Sequence, residues 1–297
     1  MGLISENTHW VLFLPCEHQP EDRHVQDLVH GVFCLESSGI QPSNISIYID
    51  GQNRANFNKL ISIATQHNNY TIKPTSEFFT DCDTNSYENL VMFVTGHGSM
   101  NGLDSAPIIT PYRLLDRLKN TPVLKQAIFY LGQCFAGVFN YLPAGQRKRG
   151  EDADPDVILI GATSLHESLS NPTTENINGI DFPWVANQFL YHVFKWISSP
   201  NDIDGDGKHT VIDSYKYAGI SSNMTNRRMK IGSFVASVDL HEQWNTAKKD
   251  HEANLADPQK LLRYRALDQQ YYEKLNINYI HQECWILNSV PAQSVEF

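Results

Sequence analysis

Two kinds of hydrophobic pattern alternate through the first two hundred residues. Short apolar runs at 10–14, 45–49, 90–94, 127–131 and 157–160 read as strands, and those at 90–94 and 127–131 lack the polar alternation of a half-wet strand, as expected of strands covered on both faces of a parallel sheet. Between them the spacing becomes helical: Val25, Leu28, Val29, Val32, Phe33 and Leu35 ahead of Gly39, then Phe57, Leu60, Ile61 and Ala64, then Leu114, Leu115 and Leu118 behind Thr110-Pro111. Strand, helix, strand in repetition is the α/β signature. Each crossover makes successive strands parallel and brings their carboxyl ends to one edge. The stretches 68–88 and 142–156 are polar and read as loops. The pattern Val185, Phe189, His192, Val193 and Trp196 predicts a helix over 182–197.

Beyond residue 213 the periodicity is helical and rich in Lys, Glu and Gln, at 240–255 and 258–275. A last apolar segment, 276–290, reads as a late strand or a buried segment. The expected organisation is an α/β domain over 1–200, a short loop at 201–213, and a helical region over 214–297 packed on or beside the first domain.

Chemistry gathers at the ends of two of the strands. The run 90–94 continues into Thr95-Gly96-His97-Gly98-Ser99, and the run 127–131 into Gly132-Gln133-Cys134-Phe135-Ala136-Gly137. In an open α/β sheet, ligands and catalytic groups collect at the carboxyl edge, so a histidine and a cysteine arrive there together. A thiolate is the attacking form of cysteine, and a neighbouring imidazole raises its population. Gly98 and Gly132 permit tight turns and close approach of a substrate. A helix is expected from Phe135 to Asn140, its amino end favouring thiolate and oxyanion. The plain alternative is a buried free cysteine beside an unrelated histidine.

These motifs resemble the caspase–legumain group of cysteine peptidases. A Gln-Cys-x-Ala-Gly block at 133–137 with a His-Gly pair upstream is similar to the signature of that group. The legumain-like branch is the closer match: residues 93–98 resemble its histidine block, 157–164 with Glu167-Ser168 resemble its following segment, and Arg23-His24 resembles a pair lining its primary specificity pocket. The similarity spans about residues 9–197, and Gly132-Gln133 departs from the residues that branch carries before its cysteine. The resemblance implies a three-layer caspase-like α/β fold with a mostly parallel central sheet. It also implies a cysteine endopeptidase using Cys134 as nucleophile and His97 as base, with the N–H groups of Gly98 and Cys134 holding the oxyanion. Arg23, Ser168 and Gln133 are the candidate substrate-binding residues. Asp104 lies near His97 in sequence, but no third catalytic member is evident.

A second motif lies at 202–213, Asp202-Ile203-Asp204-Gly205-Asp206-Gly207-Lys208-His209-Thr210-Val211-Ile212-Asp213. Side-chain oxygens stand at loop positions 1, 3, 5, 9 and 12, with glycine at 6 and a carbonyl at 7, as in an EF-hand calcium loop. Asp202, Asp204, Asp206, Lys208, Thr210 and Asp213 are the expected ligands of one calcium ion. Position 12 carries aspartate in place of the usual glutamate. An Asp/Gly turn is the plain alternative, and a lone loop suits a structural ion better than a sensor.

Composition narrows the setting. A formal net charge of −10 over 297 residues argues against nucleic-acid or anionic-membrane binding, and the partner expected is a protein or peptide substrate. No organic cofactor and no membrane span are expected. Five cysteines at irregular spacing suit reduced thiols, and no secretory leader is visible at the start, so a cytoplasmic protein, or one exported without a cleaved signal, is expected. Gln146-Arg147-Lys148-Arg149-Gly150-Glu151-Asp152 reads as a solvated loop that would also suit a processing site. Asn44, Asn69 and Asn223 sit in glycosylation-type triplets of no consequence without secretion. Two other functions stay open: a transpeptidase or transamidase resolving the same acyl-enzyme with an amine, and a non-catalytic calcium-binding interaction module.

Overall fold

The computed structural model describes residues 2–5, 7–65, 70–149 and 152–297, with the side chains of 148, 149 and 152 also left undescribed. Asn69 and the Gly150-Glu151 step of the polar loop lie outside these residues. Elements in chain order are β1 (Thr8–Leu14), α1 (Asp22–Ser37), β2 (Ile45–Ile49), α2 (Arg54–Ala64), β3 (Ile72–Lys73), α3 (Thr75–Asp81), β4 (Asn89–Val94), β5 (Gly98–Ser99), β6 (Gly102–Leu103), α4 (Pro111–Lys119), β7 (Gln126–Leu131), β8 (Lys148–Arg149), β9 (Asp152–Ala153), β10 (Asp156–Gly161), β11 (Ser170–Ile177), β12 (Ile180–Asn187), α5 (Gln188–Ser198), α6 (Val211–Ala253), α7 (Pro258–Asn276), β13 (Trp285–Leu287) and α8 (Ser289–Ala292).

A seven-stranded sheet in the order β13-β10-β7-β4-β1-β2-β3 forms the centre. Every pairing in it is parallel except the antiparallel join of β13 to β10. The five apolar runs are its five inner strands, and successive side chains divide between two cores as the pleat requires. Val91, Phe93, Ile128, Tyr130, Ile158 and Ile160 pack on the face covered by α1, α2 and α5. Leu90, Met92, Val94, Ala127, Phe129, Leu131, Val157 and Leu159 pack with Phe78 of α3 and the leucines of α4. The expected three-layer α/β arrangement with a mostly parallel sheet is therefore present.

Three local expectations are corrected. The stretch 182–187 is strand, not helix: β11 and β12 form an antiparallel hairpin turned by Asn178 and Gly179, both at positive φ, as an Asn-Gly hairpin turn requires. Helix α5 begins only at Gln188, capped by Asn187 Oδ1, which accepts from Leu190 N at 3.0 Å. The polar stretch 68–88 holds β3 and the short α3. The segment after Cys134 is no α-helix: Phe135 takes φ 56° in the left-handed region and a 3-10 turn follows over Ala136–Tyr141.

The chain divides into two compact units, Met1–Ser222 with Gln282–Phe297, and Asn223–His281. The first unit thus extends past residue 200: it takes in the 201–213 loop, the start of α6 and the chain's last segment, because Val211 and Ala218 are buried in the core and β13 pairs with β10. The second unit is a helical hairpin of the remainder of α6 with α7, which Asp257 caps through Gln259 N at 2.9 Å. Trp244 Nε1 donates to Asp268 (2.7 Å) and His241 meets Tyr271 (3.1 Å) across the two helices. No described helix is long and apolar enough to cross a membrane.

Candidate active site

Register places His97 and Cys134 together. Strand β4 pairs with β7 so that Val94 faces Leu131, and each candidate lies three residues beyond its member of that pair. Gly96 turns the chain at φ 103°, which glycine adopts freely. Gly98 then packs on the next turn: a side-chain carbon there would collide with the carbonyl oxygen of Cys134 and the Gln133 side chain. The two motifs are in backbone contact at the carboxyl edge.

Cys134 is half-buried, and its sulfur meets Ser168, whose backbone N–H donates to it at 3.4 Å and whose Oγ lies 3.8 Å away. Ser168 Oγ also donates to the Gly132 carbonyl (3.0 Å), and Asn187 Nδ2 donates to the same oxygen (2.6 Å). Both lone pairs of that carbonyl are thus used, fixing the turn that presents the cysteine. Asn187 N in turn donates to Asp27 Oδ1 (3.0 Å), as does Trp184 Nε1 (3.0 Å), while Thr95 Oγ1 donates to Oδ2 (3.0 Å). Burial pushes the Asp27 carboxyl up to about 6, and these three donors oppose the shift. Through Asp27, helix α1 braces the hairpin strand β12 and the end of β4 just ahead of His97.

His97 is half-exposed, and its Nε2 meets Glu21 Oε1 at 2.8 Å. Glu21 occupies the N-cap position of α1 yet makes no side-chain cap bond, because its carboxylate turns outward to the imidazole. Arg23 Nε donates to the other oxygen at 2.7 Å. That guanidinium, helped by His97, holds the Glu21 carboxyl down to about 2. His24 stacks edge-on against His97 with centroids 4.9 Å apart, and burial, with Arg23 and His97 nearby, pushes it down to about 3. A cavity of about 160 Å³ beside the imidazole is lined by Gly96, His97, His24, Cys16, His18 and Asp104 among others.

Arg23 donates to the hydroxyl of Ser170, the first residue of β11 and two residues past Ser168, at 3.1 Å. Gln133 lies elsewhere. It is 1% exposed with both amide atoms unpaired, beneath Gly98 and out of a substrate's reach. Asp104 contacts His97 only through the backbone, its N–H donating to the His97 carbonyl at 3.1 Å. The residue missed from sequence is Glu21. Its only trace there is an acid at the opening of the first crossover helix, two residues before Arg23-His24, on the same sheet edge.

At 202–213 the loop winds about Asp202, whose two oxygens accept from Gly205 N (2.7 Å) and Gly207 N (2.8 Å). Gly205 and Gly207 both have positive φ. Carboxylate oxygens of Asp202, Asp204 and Asp206 lie within 4.8 Å of one another. Asp213 is engaged otherwise: it accepts from Ile203 N (2.9 Å), Thr210 N (2.9 Å) and Thr210 Oγ1 (2.8 Å). With Thr210 just ahead of α6, the bond from its N–H to Asp213 is the side-chain half of a capping box. Asp202, Asp204 and Asp206 are thus gathered at one end of the loop, and Thr210 and Asp213 close it onto the helix.

No family model matches the chain, and no curated protein does. Among solved structures the chain is similar to a secreted C11 cysteine protease from Bacteroides thetaiotaomicron in complex with an irreversible peptide inhibitor, at 9% identity and a TM-score of 0.34. The match covers 75% of this chain and only 60% of that one.

Proposed function

We propose that this chain is a cysteine endopeptidase of the caspase–legumain type. The observation that carries the reading is the delivery of His97 and Cys134 by adjacent parallel strands to one edge, with the Glu21 carboxylate on the imidazole. The Cys134 sulfur attacks the substrate carbonyl and a thioester forms as the C–N bond breaks. His97 delivers a proton to the leaving amine, then takes one from water, whose oxygen replaces sulfur and regenerates the thiol. Glu21 orients the ring and compensates the imidazolium. The backbone N–H groups of Gly98 and Cys134 are the proposed oxyanion donors. Arg23, held by Glu21 and Ser170, and Ser168 beside the sulfur would wall the pocket for the residue before the scissile bond. A peptidyl electrophile library applied to the intact chain tests this. One adduct per chain, mapped by mass spectrometry to Cys134 and with a preference at that substrate residue, is expected. Labelling spread over Cys16 and Cys284, or none, would sink the reading.

Calcium is proposed as a structural ion at Asp202, Asp204, Asp206 and the Lys208 carbonyl, a hard-oxygen set suited to it. A site filled to 100 times its Kd stabilises by about 2.7 kcal/mol, so calcium is expected to raise Tm in the wild type and to do so much less in Asp206→Asn. Equal shifts in both proteins would place any calcium elsewhere.

A further inference from the structure

We propose that Glu21, His24 and His97 form a site for a zinc-class divalent cation, and that its occupation takes the His97 nitrogen out of catalysis and holds the enzyme off. One ligand atom from each residue lies within 4.8 Å of the other two. Glu21 Oε1 and His97 Nε2 already face each other at 2.8 Å, and the His24 ring stands edge-on to His97. Metal–ligand distances near 2.0–2.2 Å set tetrahedral ligand atoms roughly 3.4 Å apart, so Glu21 and His97 open slightly from 2.8 Å and His24, within 4.8 Å, needs only a small side-chain adjustment. Two imidazoles and one carboxylate with a further position open form a borderline-soft donor set, which suits zinc and not calcium. The adjoining cavity of about 160 Å³ has room for the ion and for water as a fourth ligand.

The surroundings fit an ion that comes and goes. His24 is 3% exposed and ordered by its packing. Arg23 grips Glu21 Oε2, leaving Oε1 turned to the imidazoles as an outer-shell partner should. The same guanidinium weakens the attraction for a cation, which favours reversible occupation over a permanent structural ion. An ion bonded to Nε2 replaces the Glu21 hydrogen bond and takes the lone pair or proton that His97 needs for catalysis. The regulatory consequence rests on the peptidase reading; the metal site does not.

The test is titration of zinc into the full chain against a chromophoric competitor chelator, with calcium in excess to fill the aspartate loop. Wild type, Cys134→Ala, His24→Ala and Glu21→Gln are compared. One zinc per chain is expected in wild type and equally in Cys134→Ala. Affinity is expected to fall by more than about tenfold, the loss that even outer-shell changes cause, in both His24→Ala and Glu21→Gln. Glu21 is half-exposed, so its variant keeps the test decisive if the buried His24 change unfolds the protein. Cobalt in place of zinc reports imidazole ligation through its visible d–d bands. Undiminished affinity in Glu21→Gln, or affinity lost in Cys134→Ala, would overturn the site, the latter by showing a cysteine–histidine ion instead. Peptide hydrolysis is then followed with zinc added. Inhibition relieved by chelator and weakened in Glu21→Gln supports the regulation. Zinc bound without inhibition of an active enzyme overturns it while leaving the site standing, and a chain without hydrolysis fails the peptidase reading alone.

Discussion

Cys134→Ala is expected to abolish peptide turnover, and His97→Ala to lower kcat by about 10²–10⁴, the usual worth of a positioned acid–base group. KM is expected to stay close to wild type in His97→Ala, because the imidazole contributes to the reacting state and little to substrate binding. Glu21→Gln is expected to fall between wild type and His97→Ala. It keeps a hydrogen-bonding oxygen near Nε2 but loses the charge that compensates an imidazolium. The Arg23 guanidinium holds the Glu21 carboxyl down to about 2, so it stays ionised throughout the range in which such enzymes are assayed. Steady-state kinetics on one cleaved peptide measures all three. Wild-type turnover in His97→Ala would remove the dyad, and an unchanged kcat in Glu21→Gln would remove the carboxylate from the mechanism.

Lys119→Met is expected to destabilise the first unit by about 3–5 kcal/mol, the cost of stripping one partner from a buried ion pair. The Lys119 and Asp154 side chains are each 1% exposed. The ammonium donates to Asp154 Oδ1 (3.3 Å) and to the carbonyls of Ala144 (2.9 Å), Gly145 (3.0 Å) and Pro155 (2.5 Å). Burial pushes the lysine down from its ordinary value. The backbone N–H of Arg147, then Lys119 and the Arg147 guanidinium, hold Asp154 below the usual carboxylate range despite its own burial. The stability drawn from Asp154 is therefore full above the ordinary carboxylate pKa, near 4, and is lost as pH falls below it. The change also strips the ammonium from three carbonyls: Ala144 keeps the Val157 N–H at 3.2 Å, while those of Gly145 and Pro155 lose a donor and its return on desolvation. Urea unfolding at neutral pH measures the loss, and Lys119→Met combined with Asp154→Leu should recover part of it, because replacing both charges avoids the orphan. A loss below about 1 kcal/mol in the single variant would mean that water replaces the lysine. The same bonds tie both ends of the polar loop that separates the nucleophile turn from β10.

Local sequence determined the strands and the crossovers. Leu90–Val94 and Ala127–Leu131 are apolar throughout because both faces of an inner parallel strand are covered, and that requirement is written residue by residue. The arrival of His97 and Cys134 at one edge follows from that topology alone. Elsewhere local signals were misread or overridden. Val185, Phe189 and Val193 recur at helical spacing, yet 182–187 is strand because Asn178-Gly179, both at positive φ, turn β11 back on β12. The Phe135–Asn140 stretch has helical composition, yet a Cβ at Gly137 would collide with the Ser164 backbone, Phe135 N donates to the His166 carbonyl at 2.8 Å, and the segment winds as a 3-10 turn instead. Asp213 stands at loop position 12, and its carboxylate also accepts from the Thr210 N–H and hydroxyl at the start of α6.

Tertiary structure alone decided what surrounds the imidazole. Glu21 is distant from His97 in the chain and carries no motif of its own. It reaches Nε2 because β1 and β4 are neighbours in the sheet, and the loop from β1 to α1 therefore opens beside the loop after β4. The buried Asp27, which joins α1, β12 and Thr95, is in sequence one more polar residue on an amphipathic helix. Period and composition report how each segment meets water or a core, which is a local property. Which side chains then face one another depends on the order in which strands are laid side by side, and that is decided only when the sheet is assembled.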